Sequence, residues 1–167
     1  MAVSPNEIKR LREETQAGIM DCKRALEEAE GDYEAAKKVL YERGLLHMAG
    51  RSDRDASQGL VESYIHQGRI GALVEVNCET DFVARNDAFR ELARNVAMQV
   101  ASMNPRFLSK DEIPAGTIED AKEIALLEMP FIREPGRTIS DLVNDVKVST
   151  KENVRIRRFS RFELGKE

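Results

Sequence analysis

At 167 residues the chain is long enough for one compact domain, or one domain plus a small module, and too short for a multidomain machine. With 41% apolar and 34% charged residues and no tryptophan, it has enough apolar material for a core in a helix-rich, heavily solvated protein, which excludes disorder throughout. A formal net charge of -4 excludes a protein that coats nucleic acid or acidic lipid with its whole surface, although a local basic patch stays open.

Ser4, Pro5 and Glu7 form a helix-start signal, with a capping hydroxyl, a preset first-turn φ and a returning carboxylate, so a short helix is expected through about Glu14. Cys22, Ala25, Leu26 and Ala29 then recur on one helical face, with Gly31 placed to stop that helix and Asp32 to cap the next. The third helix turns Tyr33, Ala36, Val39 and Leu40 toward a core and is expected to end at Arg43-Gly44. Three short helices make a small module over residues 1–46.

Residues 47–58, HMAGRSDRDASQ, have no apolar stripe and read as a linker or a loosely held helix, the best domain boundary in the chain. Beyond it the period changes to two. Val61, Ser63 and Ile65 alternate with Glu62, Tyr64 and His66, and Gln67-Gly68-Arg69 turns the chain into a second strand ending at Cys78, a β-hairpin. Asn86 or Asp87 opens the longest helix, whose Phe89, Leu92, Ala93, Val96, Val100 and Met103 form a stripe that should pack on the hairpin before Asn104-Pro105 ends it. Residues 105–117 read as a loop, 118–128 as a modest helix, Ile139, Leu142, Val143 and Val146 as another short helix, and 154–164 as a final strand. The fold class is therefore α+β, a three-helix module followed by a 59–167 core of a small antiparallel sheet packed with helices.

Two cysteines, Cys22 and Cys78, are too few for a disulfide scaffold and sit in apolar segments, so they read as reduced, space-filling thiols. The N-terminal residues lack an apolar signal core and no apolar run approaches the ~20 residues of a bilayer span. A cytoplasmic protein with no membrane association is the expectation. His47 and His66 have no partner at ligand or triad spacing and there is no glycine-rich phosphate loop, so no metal, cofactor or enzymatic machinery is expected.

Residues 77–86, NCETDFVARN, join the second strand to the long helix and hold the strongest local signal. Thr80 can cap a short helical turn, Asp81 adds a negative charge to it, and Phe82 and Val83 are apolar where a connection is ordinarily polar. Two readings stay open: both side chains plug the gap between sheet and helix, or Phe82 projects as a wedge into a partner, where an aromatic anchor carries much of the binding energy. On the helix carrying Cys22, a 100° step puts Met20 about 160° from the core stripe, exposed beside Lys23 and Arg24. That is either a scattered surface methionine or an adaptable contact residue. The tail interleaves Arg155, Arg157, Arg158, Arg161 and Lys166 with Phe159 and Phe162, which raises stacking on RNA. A strand with one cationic face, its phenylalanines feeding the core, is favoured over direct nucleic-acid binding because the chain as a whole is acidic.

Three segments in order, IKRLREETQAGIMDCKRAL, EVNCETDFVARND and ENVRIRRFSRFELG, closely resemble the translation elongation factor Ts family. The likeness is dense over residues 1–117 and again at the end, and resembles the short form without a long coiled-coil insertion. The chain reads as trimmed after Pro114, and Lys151-Glu152-Asn153 stands where the family usually has Gly-Glu-Asn. The resemblance implies a guanine nucleotide exchange factor that performs no covalent chemistry and engages elongation factor Tu in its GDP-bound and nucleotide-free forms. It implies that the N-terminal module is like a ubiquitin-associated domain and docks through Arg12, Ile19, Met20 and Lys23. It implies that Asp81 and Phe82, within the Thr80 to Val83 turn, intrude near the partner's magnesium and phosphate site, and that short members can pair as homodimers through the core. The runner-up is an adaptor whose ubiquitin-associated-like module binds a peptide or ubiquitin-like partner without exchange activity. An adaptor's first 45 residues would bind their ligand alone.

Overall fold

The first helix starts as its residues dictate: Ser4 Oγ accepts from the Asn6 amide at 3.3 Å and the Glu7 carboxylate accepts from the Ser4 amide at 3.2 Å. This computed structural model describes residues 3–166, with residues 1, 2 and 167 outside the described residues. It divides into two compact units, Met1–Asp53 and Arg54–Glu167, each with its own core.

In the first unit, α1 (Pro5–Thr15), α2 (Ile19–Glu28) and α3 (Tyr33–Ala49) bury Leu11, Cys22, Ala25, Leu26, Ala36 and Leu40 against one another. The stop after α2 differs slightly from expectation, because Glu30 takes the left-handed position first, at φ 52, and Gly31 follows at φ 89. The Gly31 amide reaches back to the Leu26 carbonyl at 2.9 Å and the Glu30 amide to Glu27 at 3.2 Å, which satisfies two terminal carbonyls. Asp32 caps α3 through the Ala35 amide at 2.9 Å, and the Glu14 carboxylate ties α1 to α3 by accepting from both the Tyr33 hydroxyl and Lys37 Nζ at 2.6 Å. The expected end at Arg43-Gly44 is incorrect. Helix α3 runs to Ala49, because Met48 beyond the glycine is buried and Arg43 pairs with Glu28, which together offset the roughly 1 kcal/mol that an interior glycine costs.

The second unit is built on a three-stranded antiparallel sheet, β1 (Gln58–His66), β2 (Ile70–Cys78) and β5 (Arg155–Glu163), in the order β1-β2-β5. A three-residue turn with Gln67 and Gly68 at positive φ joins the first two strands. Gly59, at φ 144, lies so close to the Val76 carbonyl that a Cβ there would overlap it. Helix α5 (Asp87–Met103) packs on β1 and β2 and places Phe89, Leu92, Val96 and Val100 of the expected stripe over Ala72, Val74 and Val76, whereas Met103, at its last turn, stays 44% exposed. The register also decides which alternating set faces that helix. Leu60 and Tyr64 turn inward with Ala72, Val74 and Ile156, whereas Val61, Ile65, Leu73 and Phe162 share the outer face. Phe162, read from sequence as core material, is 75% exposed, and only Phe159 of the two tail phenylalanines packs on the core.

Residues 118–128 form no single helix. They break into α6 (Ala121–Ile124) and a 3-10 turn (Leu126–Glu128), with Ala125 extended between them, because the chain there pairs with residue 107: the Leu126 amide donates to the Phe107 carbonyl at 2.9 Å. Ile118 is 98% exposed. A small hairpin that the sequence did not reveal follows, β3 (Pro130–Phe131) and β4 (Glu134–Thr138), before α7 (Ile139–Thr150). Buried Gln99 of α5 holds it, donating from Nε2 to the Pro130 carbonyl at 2.9 Å and accepting from the Ile132 amide at 3.0 Å.

Candidate partner-binding site

Between β2 and α5 the chain makes one helical turn, α4 (Asp81–Ala84), which with its N-cap Thr80 carries the four residues the sequence singles out. Thr80 is extended, at φ -125 and ψ 153, and its Oγ1 accepts from the Val83 amide at 3.3 Å, so it caps the turn as its residue type predicts. Asn86 then caps α5 through the Ala88 amide at 2.8 Å. With α4 and α5 separated by only Arg85 and Asn86, the turn departs from a fixed helix start.

The two open readings of Phe82 and Val83 separate here. Successive residues on a helical turn point about 100° apart, and the turn sends Val83 inward, 5% exposed among the core residues, while Phe82 stands 79% exposed. Asp81 is exposed beside it and forms an ion pair with Arg85 at 3.1 Å. A large aromatic side chain is thus held in solvent by a buried neighbour and adds nothing to the core of its own unit.

Behind the turn lies a network absent from any local pattern. The Glu152 carboxylate accepts from the Glu79 amide at 3.0 Å, the Thr80 amide at 3.1 Å and the Thr80 hydroxyl at 2.6 Å. In return Glu79 accepts from the Asn153 amide at 2.7 Å, and Asn153 Nδ2 donates to the Arg54 carbonyl at 2.9 Å. The Cys78 thiol donates to the Thr80 carbonyl at 3.1 Å, and burial pushes its pKa up to about 11, so it is neutral at ordinary pH.

The second set of residues lies in the first unit. Ile19, Met20 and Lys23 fall within a 100° arc of α2 that starts beside buried Leu26, and Met20, at its far side about 160° from buried Cys22, is 54% exposed. Lys23 is 3.7 Å from Glu27 one turn on, an exposed pair of small energetic consequence. Arg12 is on α1, where it lines a shallow hollow of about 240 Å³ with Lys9, Glu13 and Gln16. Thus Thr80, Asp81, Phe82 and Val83 are brought together in one turn, Ile19, Met20 and Lys23 on one helix, and the two sets belong to different units.

The tail arginines are largely engaged within the sheet. Arg157 and Arg158 lie 3.2 and 2.7 Å from Glu75, whose carboxyl they hold below its usual range, Arg158 most strongly. Arg161 Nε donates to the Ala101 carbonyl at 3.0 Å, and its guanidinium pairs with Glu163 at 2.9 Å. Among the described residues no three His, Cys, Asp or Glu side chains gather as a metal site, and no helix is long and apolar enough to cross a membrane.

A family model described as Elongation factor TS matches residues 47–129. The chain is 39% identical to elongation factor Ts of Thermodesulfovibrio yellowstonii, over 99% of this chain and 98% of the relative. It is 43% identical to that of Caldanaerobacter subterraneus subsp. tengcongensis (98% and 97%) and 41% to that of Herpetosiphon aurantiacus (99% of each). The first two alignments span 194 positions against the 167 residues here, so the relatives carry residues without a counterpart in this chain.

Proposed function

The chain belongs to the elongation factor Ts family and has a role in translation elongation, and from that premise we propose that it is the guanine nucleotide exchange factor of elongation factor Tu. It accelerates GDP release by inserting Phe82, with Asp81 beside it, near the partner's magnesium and phosphate site. The observation that carries this reading is the exposure of Phe82 on a capped turn whose next residue is anchored in the core. A backbone already fixed by the Thr80 cap and by buried Val83 loses little conformational freedom on insertion, and that lowers the cost of binding.

Ile19, Met20 and Lys23 of α2, with Arg12 of α1, form the docking face of the first unit, where a polarizable methionine adapts to an apolar spot and the cations orient the encounter. The protein breaks and makes no covalent bond and acts as a regulator of the GTPase. Linkage requires that, if it weakens GDP binding by some factor, bound GDP weakens its own binding by the same factor, so nucleotide rebinding expels it. It works in the cytoplasm, with the rest of the elongation machinery. The test is release of labelled GDP from purified elongation factor Tu with and without this protein. Acceleration proportional to its concentration, approaching a plateau, is expected, and an unchanged release rate would refute the assignment.

The outer sheet face supports a second contact, pairing with another copy. Val61, Ile65, Leu73 and Phe162 are exposed together there, and Ile65, Leu73, Phe162 and Leu164 line a groove of about 470 Å³. The charges around them are engaged with one another, Glu75 with Arg157 and Arg158, and Glu163 with Arg161 and Lys166. An exposed apolar strip matches a two-fold copy of itself without charge complementarity. Sedimentation should show a dimer that Phe162→Glu converts to a monomer, whereas a monomeric parent protein would exclude the pairing.

A further inference from the structure

The turn that presents Phe82 is too short to hold itself in place. A single helical turn lies below the length at which helix formation becomes favourable, and Phe82, being exposed, receives no packing that would fix it. Val83 pins one end and Asn86 starts the next helix at the other. The Glu79 and Thr80 amides, just before the turn, and the Thr80 hydroxyl that caps it set the direction in which Asp81 and Phe82 leave the sheet.

All three of those groups end on one carboxylate. One oxygen of Glu152 accepts both backbone amides, at 3.0 and 3.1 Å, and the other accepts the Thr80 hydroxyl at 2.6 Å. Hydrogen bonds to a charged acceptor are about twice as strong as neutral ones, and three converging on one group restrain position as well as distance. The Thr80 hydroxyl is oriented by this bond, because donating to Glu152 leaves its lone pair for the Val83 amide, so the carboxylate acts on the cap through the hydroxyl. Glu152 reaches the turn from 72 residues away, just after α7, and the strap is returned by Glu79 accepting the Asn153 amide.

We propose that Glu152 is a positioning residue for nucleotide exchange: its carboxylate clamps the Thr80 cap so that Phe82 is presented in one orientation. This rests on the reading that Phe82 engages the GTPase. It makes Glu152 a determinant of the maximal release rate with no contact of its own to the nucleotide, and it leaves docking through α2 untouched.

The chain has no tryptophan, so Phe82→Trp introduces a single indole, excited to the red of the three tyrosines, at the position in question. In the free Phe82→Trp protein, indole fluorescence anisotropy should be high with Glu152 present and fall when Glu152→Ala is added, while far-ultraviolet circular dichroism stays unchanged. In the background that keeps Phe82, Glu152→Ala should lower the maximal rate of stimulated GDP release about fivefold to tenfold and leave the half-saturating concentration within about twofold. Should Glu152→Ala fail to fold, the isosteric Glu152→Gln decides. It keeps one acceptor for the amides but not the charge, and should show a partial fall in the indole anisotropy and about a twofold to threefold slower release. Unchanged anisotropy in the folded variants overturns the proposal, whether or not release slows. Full-rate release despite a loosened indole reporter overturns it as well. If Phe82→Ala itself leaves release unaffected, the wedge reading falls, while the anisotropy still reports on the clamp.

Discussion

The α2 face of the first unit and the α4 turn of the second both hold an apolar side chain in solvent, but by opposite means. Met20 is presented by a ten-residue helix whose supporting contacts, from Cys22, Ala25 and Leu26, come from the same short stretch of chain. Phe82 sits on a four-residue turn that depends on Glu152, 72 residues from Thr80, and on the core beneath Val83. Helix α2 rests on the neighbouring helices α1 and α3, whereas the turn rests on a carboxylate far along the chain. The docking face should therefore respond to changes within the three helices of the first unit, and the wedge to changes as distant in sequence as Glu152.

The largest effect expected is on the support of the turn. Phe89→Ala empties a fully buried aromatic site at the start of α5 and should cost about 3–5 kcal/mol, read by denaturant unfolding. At an intermediate level, Met20→Ala should raise the half-saturating concentration in GDP release about fivefold, equivalent to ~1 kcal/mol, and leave the maximal rate unaltered. A loss of maximal rate instead would erase the division between docking and wedge. Lys151, the C-cap of α7 directly before Glu152, holds a left-handed position, at φ 59, that favours glycine. Lys151→Gly should stabilise the second unit by about 1 kcal/mol, seen as a raised melting temperature, and an unchanged or lowered value would show the position to be unstrained.

The smallest effects are those of pH, and they touch both regions. Glu14 of the first unit is held below its usual value by Lys37 first and Tyr33 next, as Glu75 of the second is by Arg158. A depressed carboxyl stabilises the fold above its unfolded pKa, and that contribution is lost as pH falls through the folded value, so both units should weaken modestly below the ordinary glutamate range. Cys78 has the opposite sign. Raised to about 11 by burial, its protonated form adds stability that is complete below the unfolded thiol value and lost as pH rises toward 11. Iodoacetamide at pH 8 should leave it unmodified until denaturant is added.

The same contrast explains what the sequence discloses. Met20 is legible from angular spacing alone, and Thr80 from the preference of its residue type for helix caps. Local pattern cannot separate Phe82 from Val83, since the core that takes one and rejects the other is assembled from α5 and β2. Residues 118–128 look helical until the chain at Ala125 pairs with Phe107, a tertiary contact that outweighs propensity. Alternation in the hairpin identifies strands but not their inner face, so the outward turn of Val61, Ile65 and Phe162 appears only with the position of α5. The role of the Glu152 carboxylate has no local signature, because both residues that donate to it lie more than 70 positions away.

The central claim is that an exposed Phe82 displaces nucleotide from the partner, and its most direct test is the maximal rate of GDP release from elongation factor Tu with Phe82→Ala at saturating concentration. The rate should fall about 30-fold, corresponding to ~2 kcal/mol for an interface anchor, with thermal stability retained because the side chain contributes nothing to the core. A folded Phe82→Ala protein that still drives release at the parental rate would contradict it.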